Sequence, residues 1–182
     1  MTTLTSSPAA ANANAVLAAA DPAQYLTFML AGEVFAIGIL AVKEIIEYHS
    51  LTSVPMMPDC VRGVINLRGA VVPVMDLLAR FGRASSDVTK RTCIVIVEVR
   101  TEQESQVVGV IVDAVNEVLD IAPSDIEPAP AFGARIRTDF IQGMGKVKGK
   151  FVILLNADHV LSLDEITQLA QAPANGAALA LN

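Results

Sequence analysis

Between Tyr25 and Leu155 the chain is divided into short apolar, β-branched runs, and few of the gaps between them could hold a regular helix. The runs are Tyr25–Leu30, Val34–Ile39, Ala70–Met75, Thr92–Val99, Val107–Val112, Val115–Leu119 and Phe151–Leu155. Bounded by Gly, Pro or charged residues, runs of this length are strands. Ala31-Gly32-Glu33 closes a first hairpin, and the polar segment Arg100–Ser105 closes a second. A doubly wound parallel sheet needs helical patterns of about 10–15 residues between strands. Those are missing, so the fold class is mainly β, as a sandwich or as small barrels. The linker Phe81–Lys90 splits the strands into an earlier and a later group, which suggests two small barrels in contact.

Helical signals are few. Ser162 and Glu165 form a capping box, with Leu161 and Ile166 spaced for the hydrophobic staple. Leu163, Ile166, Leu169 and Ala170 then share one face, which either packs on a barrel or meets a partner. Val42, Ile45 and Ile46 recur at helical spacing and predict a short helix over Val42–Ile46, and another is expected within Asp59–Leu67. Residues 1–23 and 171–182 are rich in Ala and punctuated by Pro and Gly, and they read as flexible arms.

Charge and composition then exclude whole classes of function. The formal net charge is −6, with six Phe, two Tyr and no Trp. An acidic chain repels phosphate backbones, and a basic groove with stacking aromatics is not available, so no nucleic-acid partner is expected. At 53% hydrophobic residues the chain has material for a packed core, which disordered chains lack. Two cysteines, Cys60 and Cys93, are too few for a disulfide framework, and with two distant histidines they do not assemble a metal site. No metal and no cofactor are expected. The uncharged N-terminal stretch has no basic region to make it a secretory signal, and no window reaches the ~18 apolar residues of a membrane span. A cytoplasmic protein without direct membrane insertion is the expectation.

Catalytic motifs are missing as well. There is no Gly-x-Ser-x-Gly, and Gly143-Met144-Gly145-Lys146-Val147-Lys148-Gly149 lacks the spacing and the Lys-Ser/Thr pair of a phosphate loop. A turn joining two strands explains it. The acidic pairs Asp120/Asp125 and Glu102/Glu104 lie in predicted turns and read as solvated charges.

Two features do stand out. Arg68 sits inside the apolar stretch Val61–Leu77, next to Gly69. Its permanent charge must reach solvent, an internal carboxylate or a partner, and its planar fork suits a bidentate carboxylate. Pro73 lies in the same stretch and places its strand at an edge or a bulge. The second feature is Pro128-Ala129-Pro130-Ala131-Phe132-Gly133, an aromatic in a proline-stiffened loop, either tucked onto its own core or held out as an anchor.

These residues belong to a longer series. It comprises Gln24-Tyr25-Leu26-Thr27-Phe28 with Gly32-Glu33, then Ile39–Ile45, then Gly63-Val64-Ile65-Asn66-Leu67-Arg68-Gly69. Val72-Pro73-Val74-Met75-Asp76-Leu77, Val108–Asp113 and Pro128-Ala129-Pro130 complete it. In order and spacing the series resembles the CheW-like coupling proteins of bacterial chemotaxis over residues 24–170. The resemblance implies two SH3-like five-stranded β-barrel subdomains sharing a hydrophobic seam, with a short C-terminal helix. Subdomain 1 would cover about 24–85 plus that helix, and subdomain 2 about 90–155. It also implies a non-catalytic scaffold that bridges the cytoplasmic tips of methyl-accepting chemoreceptors to the regulatory domain of a CheA-type histidine kinase. A non-flagellar chemosensory pathway is the alternative setting. The receptor-binding residues it implies are Val42, Glu44, Gly63, Arg68, Gly69, Cys93 and Val115, and the kinase-binding residue is Phe132. It says nothing about the two arms.

Overall fold

The computed structural model describes residues 22–100, 102, 104–129 and 140–162. Within them the seven predicted strands all form, as β1 (Ala23–Leu30), β2 (Glu33–Gly38), β5 (Ala70–Asp76), β6 (Cys93–Arg100), β7 (Ser105–Val112), β8 (Ala114–Ile121) and β11 (Lys150–Leu155). β3 (Val42–Glu47) and β4 (Val61–Leu67) occupy the two segments expected to be helical. The helical spacing in Val42–Ile46 spans too few residues to separate a helix from a bulged strand, and β-branched side chains favour the strand. β9 (Ile126–Glu127) and β10 (Ile141–Val147) had no clear strand signal, because Gly143 and Gly145 dilute β10. Two one-turn helices follow the hairpins, α1 (Leu77–Arg80) and α2 (Ala157–Val160). The predicted C-terminal helix lies beyond Ser162, outside the described residues.

The strands make two sheets, in the orders β8-β1-β2-β11-β10-β9 and β3-β6-β7-β5-β4. The strands therefore do not divide at the Phe81–Lys90 linker, which corrects the expected partition. Each sheet takes an N-terminal hairpin from one half of the chain and a C-terminal hairpin from the other. The reason is the parallel pairing of β5 with β7 and of β11 with β2. Parallel neighbours cannot be joined by a tight turn, so each hairpin recruits its parallel partner from the opposite half.

The two halves repeat each other. Cys60, Gly63, Arg68-Gly69 and Asp76 of the β4–β5 hairpin correspond to Phe140, Gly143, Lys148-Gly149 and Asn156 of β10–β11, each 80 positions later. Both hairpins shift register at the same place, between Val61 and Gly63 and between Ile141 and Gly143. Asp76 caps α1, accepting from the backbone N–H of Leu78 and Ala79, and Asn156 caps α2, accepting from His159. Asp76 also accepts from Arg62 through Nε at 3.1 Å and Nη2 at 3.0 Å, which holds the start of β4 against the helix. Pro73 is inside its sheet, not at an edge. It lies opposite Val64, whose N–H and C=O both turn away to Thr52, and the ladder with β7 starts one residue later. Its missing N–H is thus not needed.

Between the sheets lies the largest core cluster. It joins Phe28, Phe35 and Leu155 of the first sheet to Val95, Val97 and Val110 of the second, with Leu77, Leu78, Val160 and Leu161 from the helix ends. Phe28, Phe35, Phe81 and Phe140 run through it as a chain of ring contacts 5.8–6.3 Å between centroids. Cys60 belongs to this cluster, and burial pushes its thiol up from the ordinary range, against a lowering by Arg80. A raised thiol favours the neutral form, so its contribution to stability is present below the ordinary thiol range and is lost as pH climbs through the raised value. In the native protein Cys60 is expected to resist maleimide at pH 7 and to react only in denaturant, read by mass spectrometry. Native labelling of Cys60 as fast as an unfolded thiol would contradict this placement.

Candidate functional site

The β4–β5 turn explains the Asn-Leu-Arg-Gly sequence atom by atom. Leu67 pairs with Ala70, so Arg68-Gly69 is a two-residue hairpin loop, and both residues have positive φ, 54° and 88°. This is the mirror-image turn that matches strand twist, and glycine adopts its second position without strain. Asn66 Oδ1 accepts from the Gly69 N–H at 2.9 Å and fastens the loop. Gly69 therefore contributes backbone geometry. A Cβ built on it meets nothing within 4 Å.

Arg68 projects from that loop to Glu44 on β3, with Nη1 donating to Oε1 at 2.9 Å and Nη2 to Oε2 at 2.8 Å. β3 and β4 are the two ends of their sheet, so this bidentate pair closes it side chain to side chain. The Arg68 side chain is 77% exposed against 26% for Glu44. Two of its N–H groups serve Glu44, and the others face solvent.

Val42 and Glu44 lie on different faces. A register shift separates them, so Val42 pairs with Val97 of the seam cluster and Glu44 with Ile96 of the core inside the second sheet. Val42, Cys93 and Val115 all pack at the margin of the seam. Val42 and Val115 are counterparts in the internal repeat, as Val42-Lys43-Glu44 is to Val115-Asn116-Glu117. The implied receptor residues thus separate into a seam margin (Val42, Cys93, Val115) and a turn cluster (Glu44, Arg68, Gly69).

Gly63 belongs to neither. It is buried with φ +154°, and a Cβ there would lie 2.5 Å from the Thr52 carbonyl oxygen. Thr52 and Val64 exchange backbone hydrogen bonds at 2.8 and 3.0 Å, so Gly63 is the gap that lets a neighbouring segment press onto β4. Phe132 lies outside the described residues.

Two residues of the matched series were quoted but not singled out. Ile39 and Leu40 form a 3-10 turn after Gly38, where the chain leaves the first sheet for the second. Ile39 packs against the seam cluster, and Leu40 is 98% exposed. With Tyr25, Asp120 and Gln142 they line a depression of about 570 Å³. The available signal was the apolar run continuing past Gly38 into Val42. Among the described residues no cluster of His, Cys, Asp and Glu could hold a metal ion, and no helix is long and apolar enough to cross a membrane.

Comparison with known proteins agrees with this architecture. A family model described as CheW-like domain matches residues 24–165. The chemotaxis protein CheW of Klebsiella aerogenes is 33% identical over 143 residues, 79% of this chain and 84% of its own. That of Bacillus subtilis is 36% identical over 137 residues, 75% of this chain and 85% of its own. The crystal structure of the scaffolding protein TtCheW from Thermoanaerobacter tengcongensis superposes with a TM-score of 0.70 at 36% identity, covering 79% of this chain and 90% of that one. With two interleaved sheets, the Asn-Leu-Arg-Gly turn and a family match across nearly the whole described region, the chain belongs to the CheW-like domain family.

Proposed function

We propose that this chain is a non-catalytic scaffold of bacterial chemotaxis signalling that couples methyl-accepting chemoreceptors to a CheA-type histidine kinase. Its relatives include chemotaxis proteins CheW, and one solved relative is a scaffolding protein. The observation that carries the finer reading is the Arg68–Glu44 pair, whose guanidinium keeps free donors on an exposed turn. A helical receptor tip offers an apolar ridge with charges beside it. The seam margin at Val42, Cys93 and Val115 takes the ridge, and Arg68 and Glu44 fix its register by charge. Gly69 holds Arg68 in place, Gly63 shapes the sheet edge behind it, and Phe132 meets the kinase. Such an interface is modest, near micromolar or about −8 kcal/mol, and array signalling comes from many contacts together. The protein then works at receptor arrays on the inner face of the membrane.

Calorimetric titration with the regulatory domain of the cognate CheA-type kinase tests the reading. One-to-one binding in the micromolar range is the expected result, followed by receptor-dependent kinase activation in a reconstituted mixture. No heat at ~100 μM kinase domain would overturn the coupling role.

A further inference from the structure

The β10–β11 hairpin concentrates positive charge in a chain of formal net charge −6. Lys146, Lys148 and Lys150 are exposed at its tip, and no Asp or Glu occurs from Phe140 to Leu155. Among the described residues none of the three ammonium groups has an ion pair or a hydrogen bond. Across the strands from Lys146 stands Phe151, 51% exposed. Two positions further along β11, on the same face, Ile153 joins the margin of the seam cluster.

The internal repeat shows what this tip lacks. Lys148-Gly149 is the same two-residue turn as Arg68-Gly69, with φ of 52° and 78° against 54° and 88°. Its first position favours Asn, Asp or Gly, and in both halves a long cation occupies it. Arg68 spends two donors on Glu44 of β3. The counterpart of Glu44 is Glu117 of β8, and Lys148 makes no such pair with it. The chain therefore supplies a carboxylate to one turn and none to the other.

Both edges of the hairpin are already paired, β10 with β9 and β11 with β2, so the tip offers side chains and no strand edge. That suits a helix, which carries carboxylates one turn apart beside an apolar ridge. A nucleic acid or an anionic bilayer would extend past the tip and meet the negative charge of the rest of the molecule. A short acidic segment stays within a Debye length, about 8–10 Å, of the three lysines. We propose that the β10–β11 tip docks an acidic helical segment of a protein partner, its carboxylates on Lys146, Lys148 and Lys150 and its apolar ridge on Phe151. This contact goes beyond the coupling function proposed above and does not depend on it.

The probe is a synthetic helical peptide of about 20 residues with a leucine ridge flanked by glutamates, titrated into the isotope-labelled full chain and followed by backbone NMR. Saturable shifts are expected over Lys146–Phe151, with a Kd of about 100 μM at low salt that rises at least about threefold in ~0.5 M NaCl. The combined variant Lys146→Gln, Lys148→Gln and Lys150→Gln is expected to raise that Kd about tenfold or more while moving Tm by less than about 4 °C. Shifts centred on Arg68-Gly69, equal binding by the combined variant, or equal binding of a peptide with lysines in place of the glutamates would each overturn the site. Binding of phosphatidylglycerol vesicles or oligouridylate as tightly as the acidic peptide would overturn it too, since the tip would then serve extended polyanions. A failed kinase titration would leave this contact standing.

Discussion

Replacing Arg68 with alanine is expected to cut receptor-dependent kinase activation about tenfold while moving Tm by less than about 4 °C. The small stability effect follows from exposure. The pair with Glu44 is largely in water on the Arg68 side, and such pairs contribute about 1 kcal/mol or less to folding. The functional effect follows from the donors that Glu44 leaves unused. The charge-swapped pair Arg68→Glu with Glu44→Arg separates the two roles. It restores the link between β3 and β4 with the opposite polarity toward a partner. Its Tm is expected to return to the parent value and its receptor coupling is not. Coupling recovered in the double variant would make the pair a structural clamp alone.

Gly63→Val is expected to be the most damaging single change in the implied receptor set, by roughly 2–6 kcal/mol of stability. Two costs combine there. A φ of +154° belongs to a region reached essentially by glycine only, and the new side chain would meet the Thr52 carbonyl, which is backbone and cannot swing aside. Moving it breaks the Thr52–Val64 hydrogen bonds and detaches the segment from β4. Urea unfolding should show a lower midpoint, and kinase binding and receptor coupling should fall together at temperatures where part of the protein is unfolded. A Gly63→Val protein as stable as the parent, but deficient only in receptor coupling, would return Gly63 to a direct contact role.

Much of the fold was legible because its signals are local. Short β-branched runs between turns predicted seven strands correctly, and Ala31-Gly32-Glu33 was read as a hairpin turn, of which Ala31-Gly32 form the loop with positive φ and Glu33 already begins β2. Where local signals were weak, the reading failed. Five residues of Val42–Ile46 carry too little periodicity to tell helix from strand, and β10 with its two glycines does not look like a strand until β9 and β11 are placed beside it. Pro73 was assigned to an edge or a bulge because the rule concerns a missing N–H; its strand is internal, and the register shift of the hairpin lies just beyond it, between Val61 and Gly63. The exception depends on where Val64 spends its hydrogen bonds, which is a property of the paired strand.

The candidate site divides in the same way. That Arg68 needs a carboxylate, that Gly69 needs a special backbone, and that the chain resembles CheW-like proteins were all readable from residue chemistry and order along the chain. Which carboxylate Arg68 finds, and that Gly63 acts by leaving room for Thr52, were not. Neither was the interleaving of the two halves, although the 80-residue repeat that underlies it is present in the sequence. Side-chain chemistry and turn preference depend on a few neighbouring residues, so sequence determines them directly. Glu44 meets Arg68 across 24 positions, and β11 meets β2 across more than a hundred. Contacts of that kind are selected by which closed arrangement buries the shared apolar seam and pairs every strand, and that selection exists only once the whole chain has folded.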